Sequence, residues 1–254
     1  MNGSYVRGEE TGVFRKGAGA SDTSFRAQNI SEGTFRRVRD LIVHGKLAPG
    51  SRVIEADLAD KLGVSRTPMR AALHRLQQEG YILVTSAGGN KARLSVAPLT
   101  KDDAHELYRI VGQLEGLAAR ASSQLEPQAR AALAEKLREF NEGLRELAEA
   151  KRADPNRSFD LDMSFHQAIV DAGAGPRLRA IHGAIKPQTE RYWRLYASAI
   201  IDQLGLSVCE HLDIIGSIER GDSDGAKQAI VLNWQNGAQR LSQVIETLGE
   251  RGSW

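Results

Sequence analysis

Two groups of side chains in this 254-residue chain have the types and spacing for chemistry. Arg66, Arg70 and His74 recur every four residues and share one helical face. Met69, Leu73 and Leu76 share another, at i, i+4, i+7. A short helix with a basic face can meet a polyanion. Its first N–H groups favour phosphate, and an Arg offers two parallel donors to guanine O6 and N7. An ordinary αα-hairpin with a solvated basic face has the same pattern. Further along, Asp162 and His166 lie four residues apart, so their heads can converge on one ion. The commoner use of a single such histidine is as a hydrogen-bonded core residue.

Stepping outward, residues 55–80 read as two short helices joined at Gly63-Val64-Ser65. Leu58 and Leu62 are one turn apart in the first. Gly63 stands where a helix end takes a residue tolerant of positive φ. Ser65 or Thr67 can cap the second, with Pro68 in its first turn. Before this hairpin, residues 31–46 predict an amphipathic helix capped by Ser31, with Phe35, Val38 and Ile42 as its apolar stripe. Residues 1–30 predict a disordered arm carrying Arg7, Arg15, Lys16 and Arg26. After Gly80 the period becomes strand-like: 81–85, a turn over 86–91, then 92–96. A hairpin after a recognition helix is the wing of a winged helix. Lys91 and Arg93 would sit near its tip, within reach of phosphate or the minor groove.

From Thr100 to Leu248 only helical periodicity appears. Helices are predicted over 100–123, 127–150, 155–172, 177–198, 203–220 and onward to 248. Leu107, Ile110, Val111, Leu114 and Leu117 form the expected buried side of the first. The fold class is therefore mainly α. A winged helix-turn-helix over 31–98 precedes an all-α antiparallel bundle over 99–250.

Charge divides along the same line. Residues 31–97 hold eleven Lys/Arg against six Asp/Glu, whereas 98–254 hold nineteen against twenty-three. The first part suits a polyanionic partner and the second does not. One cysteine, Cys209, rules out an internal disulfide framework and fits a reducing cytoplasm; its apolar neighbours suggest a small core residue. No run of eighteen apolar residues exists to span a membrane.

These residues support a family resemblance. Leu47-Ala-Pro-Gly-Ser-Arg52, Glu55-Ala-Asp-Leu-Ala59, Gly63-Val-Ser-Arg-Thr-Pro-Met-Arg70, Leu73-His-Arg-Leu76 and Gly80-Tyr-Ile82 resemble the winged helix of GntR-family transcription regulators. Leu107-Tyr108 with Leu114-Glu115, Asp162-Met-Ser-Phe-His166, and Glu210-His211 leading to Gly221-Asp222 resemble the FCD ligand-binding domain of the FadR subgroup. The resemblance runs from residue 31 to about 248. It implies a homodimer on a pseudo-palindromic double-stranded DNA operator, usually repressing, with affinity altered by a small effector. Ser65, Arg66, Thr67, Pro68 and Arg70 fall on its DNA-contacting positions. Many members carry an Arg where this chain has Ala56, which implies a different operator.

In the helical half, His211 lies ten residues before Gly221 and Asn233 eleven after Asp222. In a hairpin turning there, both sit roughly 16 Å from the turn. Asp162, His166, His211 and Asn233 are thus compatible with one centre. In metal-binding members these positions carry Asp or Asn and three His, and the resemblance implies a divalent ion of Zn or Ni type. Asn233 replaces the third His and is a weaker ligand. His182 is a further candidate ligand. Related sensors often place an Arg one turn before the Leu-Glu pair to hold an effector carboxylate, and here that residue is Val111. Arg109, Arg191 and Arg194 are then the candidate contacts for an organic-acid effector. Two other functions fit the pattern less well: a metal-dependent hydrolase using Asp162, His166 and His211, and an architectural DNA-binding dimer without a ligand.

Overall fold

The computed structural model describes residues 19–86, 92–150 and 154–252. The N-terminal unit consists of α1 (Gly19–Val43), β1 (Arg52–Val53), α2 (Glu55–Leu62), α3 (Arg66–Gln78), β2 (Ile82–Ser86) and β3 (Ala92–Val96). Its strands form one antiparallel sheet in the order β1-β3-β2, with Arg52 opposite Ser95 and Thr85 opposite Arg93. Helix α1 begins twelve residues before the expected Ser31 cap. The expectation of a disordered arm is therefore corrected for residues 19–30. No Pro or Gly stands between Ala20 and Ile30, so nothing stops the helix from extending backward.

The core of this unit is Phe35, Val38 and Ile42 from α1, Leu58 from α2, and Met69, Leu73 and Leu76 from α3, closed by Tyr81, Ile82 and Val96. Helices α1 and α3 bury the stripes their periodicity marks, and α2 buries Leu58 with Leu62 packed half-buried against the core. Gly63 ends α2 at φ +65, in the left-handed region, and its N–H closes the last turn. Ser65 occupies the N-cap of α3 with extended backbone and no side-chain cap bond.

The C-terminal unit is all helical: α4 (Lys101–Ser122), α5 (Pro127–Glu149), α6 (Pro155–Gly173), α7 (Pro176–Ile200), α8 (Leu204–Arg220) and α9 (Ser223–Leu248). The local signals set its boundaries. Pro127, Pro155 and Pro176 open helices, Thr100 and Asp222 cap α4 and α9 through side-chain bonds, and Gly221 (φ +74) ends α8.

Helix α4 is rotated from the expected face. Ile110 and Leu117 are exposed, while Tyr108, Val111, Glu115, Ala118 and Ala119 are buried. The cause is close packing on α9. A Cβ at Gly112 would lie 2.8 Å from the Trp234 Cβ, and one at Gly116 would lie 3.1 Å from Val231 Cγ2. Two glycines on one face allow α9 to approach at a distance that leucines would forbid. Cys209 is also corrected: it is exposed, because α8 turns Val208 and His211 inward instead.

Helix α7 joins the two units. Gln188 Nε2 donates to the Glu79 carbonyl, Arg191 Nη2 to the Ala97 carbonyl at 2.5 Å, and Tyr192 Oη accepts from Thr100 N–H. Among the described residues no helix is long and apolar enough to cross a membrane.

Candidate functional site

Three ligand-type side chains converge in the C-terminal unit. One oxygen of Asp162 and one nitrogen each of His166 and His211 lie within 4.8 Å of one another. Asp162 and His166 come from successive turns of α6, and His211 comes from α8.

The outer nitrogens of both rings are fixed. Asn141 Nδ2 donates to the Val208 carbonyl, which leaves its Oδ1 to accept from His211 Nδ1–H at 3.1 Å. His166 Nδ1–H donates to Glu115 Oε2 at 2.6 Å. Each ring therefore turns its Nε2 lone pair away from these partners. His211 Nε2 is fully buried with no hydrogen-bond partner among the described residues, 3.6 Å from Asp162 Oδ1. Phe165 stacks on the His211 ring at 3.8 Å and sets its plane. Burial, with the nearby charge of Arg240, holds the His211 pKa well below the ordinary imidazole value. The ring is neutral, as a metal ligand must be. An orphaned buried nitrogen beside a carboxylate and a second imidazole, each imidazole oriented by an acceptor behind it, fits a divalent cation.

Behind the triad lies Glu115, wholly buried. It accepts from His166, from His182 Nε2 at 2.9 Å and from Trp234 Nε1 at 2.7 Å, and Lys186 Nζ stands 3.4 Å away. Burial alone would raise its pKa. The Lys186 charge and the hydrogen bonds from His166 and His182 outweigh burial and hold the carboxyl well below its usual range. His182 is thus committed to Glu115 and does not join the triad. Lys186 also lies 4.1 Å over the Trp234 ring.

A cavity of about 70 Å³ opens on two of the three, Asp162 and His166, and is lined further by Asn233, Lys186, Thr189 and Arg240 among others. It has room for several waters, or for an ion with small ligands. Asn233 donates its NH₂ to Glu210 at 2.8 Å, and its amide oxygen has no partner among the described residues. Glu210 is itself gripped by both terminal nitrogens of Arg240. The expected effector arginines are elsewhere. Arg109 is exposed on a groove along α4, Arg191 is buried at the junction between the units, and Arg194 sits over the Phe159 ring. The cations at the cavity are Lys186 and Arg240. No local sequence signal marks them, because the helices that carry them meet only in the fold.

In the N-terminal unit, Ser65, Arg66, Thr67 and Arg70 are exposed at the start of α3, and Pro68 is half-buried. Arg93 is exposed on β3. Lys91 lies outside the described residues.

Residues 30–91 match the gntR family of bacterial regulatory proteins, and residues 106–235 match the FCD domain. The HTH-type transcriptional regulator YdhC of Bacillus subtilis (strain 168) is 24% identical over 217 residues, which is 84% of this chain and 91% of YdhC. A probable D-xylose utilization operon transcriptional repressor of Paenarthrobacter nicotinovorans is 28% identical over 199 residues, 76% of this chain and 82% of the repressor. Among solved structures, E. coli McbR/YncC shares the fold with a TM-score of 0.64 at 23% identity, over 84% of this chain and 97% of that one. Winged helix, helical bundle and family matches agree: the chain belongs to the GntR family of transcription regulators, with an FCD domain following its DNA-binding winged helix.

Proposed function

We propose that this regulator is a cytoplasmic, homodimeric repressor. Its affinity for a pseudo-palindromic operator is set by a small organic acid bound in the FCD cavity beside a divalent ion. The observation that carries the reading is the buried, unpartnered Nε2 of His211 facing Asp162. A neutral buried imidazole without an acceptor or donor costs stability, and a cation there removes that cost. Asp162, His166 and His211 would hold the ion, and it would supply Lewis acidity toward an oxygen ligand. The Asn233 amide oxygen stands in for a third imidazole and leaves a site of harder donor character. Lys186 and Arg240 are paired with Glu115 and Glu210, and they line the cavity with N–H donors that a carboxylate could accept from.

Ser65, Arg66, Thr67, Pro68 and Arg70, with Lys91 and Arg93 on the wing, form the proposed DNA contact. The N-terminal turn of α3 meets base edges, and the wing meets backbone.

The arrangement argues against hydrolysis. A hydrolytic ion needs a free general base beside it. Glu115, the carboxylate behind His166, is engaged by three hydrogen-bond donors and an ammonium and cannot take up a proton.

Metal analysis of untagged protein purified without chelator tests the centre. About one ion per chain is expected, and its loss in His211→Ala. Protein with no ion, and no Zn²⁺ or Ni²⁺ uptake in titration, refutes the metal reading.

A further inference from the structure

Arg70 does not project freely from the recognition helix. Its Nε donates to Glu55 Oε2 at 3.2 Å and its Nη2 to Glu55 Oε1 at 3.0 Å. Glu55 is the first residue of α2, so the bond crosses the turn of the helix-turn-helix. The two bonds occupy the side-on edge of the guanidinium. The end-on edge, Nη1 with the second proton of Nη2, has no partner among the described residues.

The pair is hard to explain as a stabilising device. The Arg70 side chain is 75% exposed, and an ion pair so open to water contributes little to folding. A carboxylate on a DNA-facing surface also works against binding, because it repels phosphate. Its presence next to an exposed arginine therefore has to be weighed against what it does to that arginine. It does two things. It removes most of the net charge, which weakens Arg70's attraction to the backbone. It also fixes the plane of a long, flexible side chain before DNA arrives, so less entropy is lost on contact. Arg66, four residues earlier on the same face, has no ion pair within 4 Å among the described residues and remains a full positive charge.

We propose that Glu55 is a positioning residue that commits Arg70 to reading a guanine, with the end-on edge of its guanidinium meeting O6 and N7, while Arg66 is left free for phosphate or base. This rests on the reading that α3 enters the major groove. It adds that each operator half-site carries one guanine whose recognition depends on a residue outside the recognition helix.

The test is selection of the full-length protein on a randomised duplex library, followed by sequencing of the bound fraction. Wild type, Arg70→Ala, Glu55→Gln and Asp57→Asn are compared. Asp57 is a second carboxylate in the first turn of α2, so its variant loses the same charge and the same helix-end interaction. Arg70→Ala and Glu55→Gln are expected to lose preference for the same guanine, by roughly tenfold, with other motif positions retained. Glu55→Gln and Asp57→Asn should both bind non-specific DNA more tightly. Asp57→Asn should keep the guanine. Retention of the guanine by Glu55→Gln where Arg70→Ala loses it overturns the proposal. So does its loss in Asp57→Asn, which would make charge, not positioning, the cause. If the wild type enriches no motif at all, the DNA-reading assignment of α3 falls, and the role of Glu55 falls with it.

Discussion

Gln188 Nε2 on α7 donates to the backbone carbonyl of Glu79 at 2.6 Å. Glu79 is the C-cap of α3, so this bond holds the end of that helix from the C-terminal unit. The same stretch of α7 lines the cavity with Lys186, Thr189 and Trp193. One helix thus touches the cavity with one face and the recognition helix with another.

That geometry makes α7 the expected route of coupling. Gln188→Ala should leave Zn²⁺ uptake intact but shrink the Zn²⁺-dependent change in operator affinity. Couplings of this kind run on the order of 5–150-fold, and the variant should show about twofold or less. Fluorescence anisotropy on selected DNA, with and without Zn²⁺, reads the effect. Undiminished coupling would rule α7 out as the route.

Arg66 and Arg70 are exposed and outside the core, so alanine at either should leave thermal unfolding unchanged. Specific operator affinity should fall by roughly tenfold or more for each, since a bidentate base contact is worth about 1–3 kcal/mol. Loss of a phosphate contact would appear instead as a shallower salt dependence, by about one unit of slope. Equal affinity of variant and wild type at matched salt would remove that arginine from the interface.

Glu115 holds together side chains from α6, α7 and α9. Glu115→Ala leaves the Lys186 ammonium buried without its counter-charge, and breaking one side of such a pair costs about 3–5 kcal/mol. Urea unfolding should show a large drop in midpoint. A loss under about 1 kcal/mol would mean that water or another acceptor replaces the carboxylate readily.

The His211 ring should make the metal-free protein acid-sensitive. It faces His166, Arg240, Asp162 and, further off, Glu115, and its folded pKa is depressed mainly by burial. The unfolded chain binds a proton near the ordinary value of about 6.5, whereas the folded ring resists. Stability is then full above about pH 7 and falls as pH drops below the ordinary histidine value, because the unfolded state binds more protons there. Chelator-treated protein should show this slope in urea midpoints, and His211→Gln should flatten it. An identical slope in both would assign the acid sensitivity to other groups.

Much of the fold was legible because its signals are local. Gly63 and Gly221 take positive φ where the helix patterns end, and Pro127, Pro155 and Pro176 open helices where their missing N–H does no harm. The stripe Met69, Leu73, Leu76 is buried as its spacing implies. The Asp162–His166 pair was equally readable, since four residues bring two side chains to one helical face. What lay beyond the sequence was set by contacts between distant segments. The rotation of α4, which exposes Ile110 and Leu117, follows from how closely Gly112 and Gly116 let α9 approach. The partners of Glu115 stand 51, 67 and 119 residues away, and no periodicity marks them. The same holds for Lys186 and Arg240, which line the cavity where Arg109, Arg191 and Arg194 do not. Helical phase fixes which residues share a face. Only packing decides which face meets which, and so which charges end up buried together.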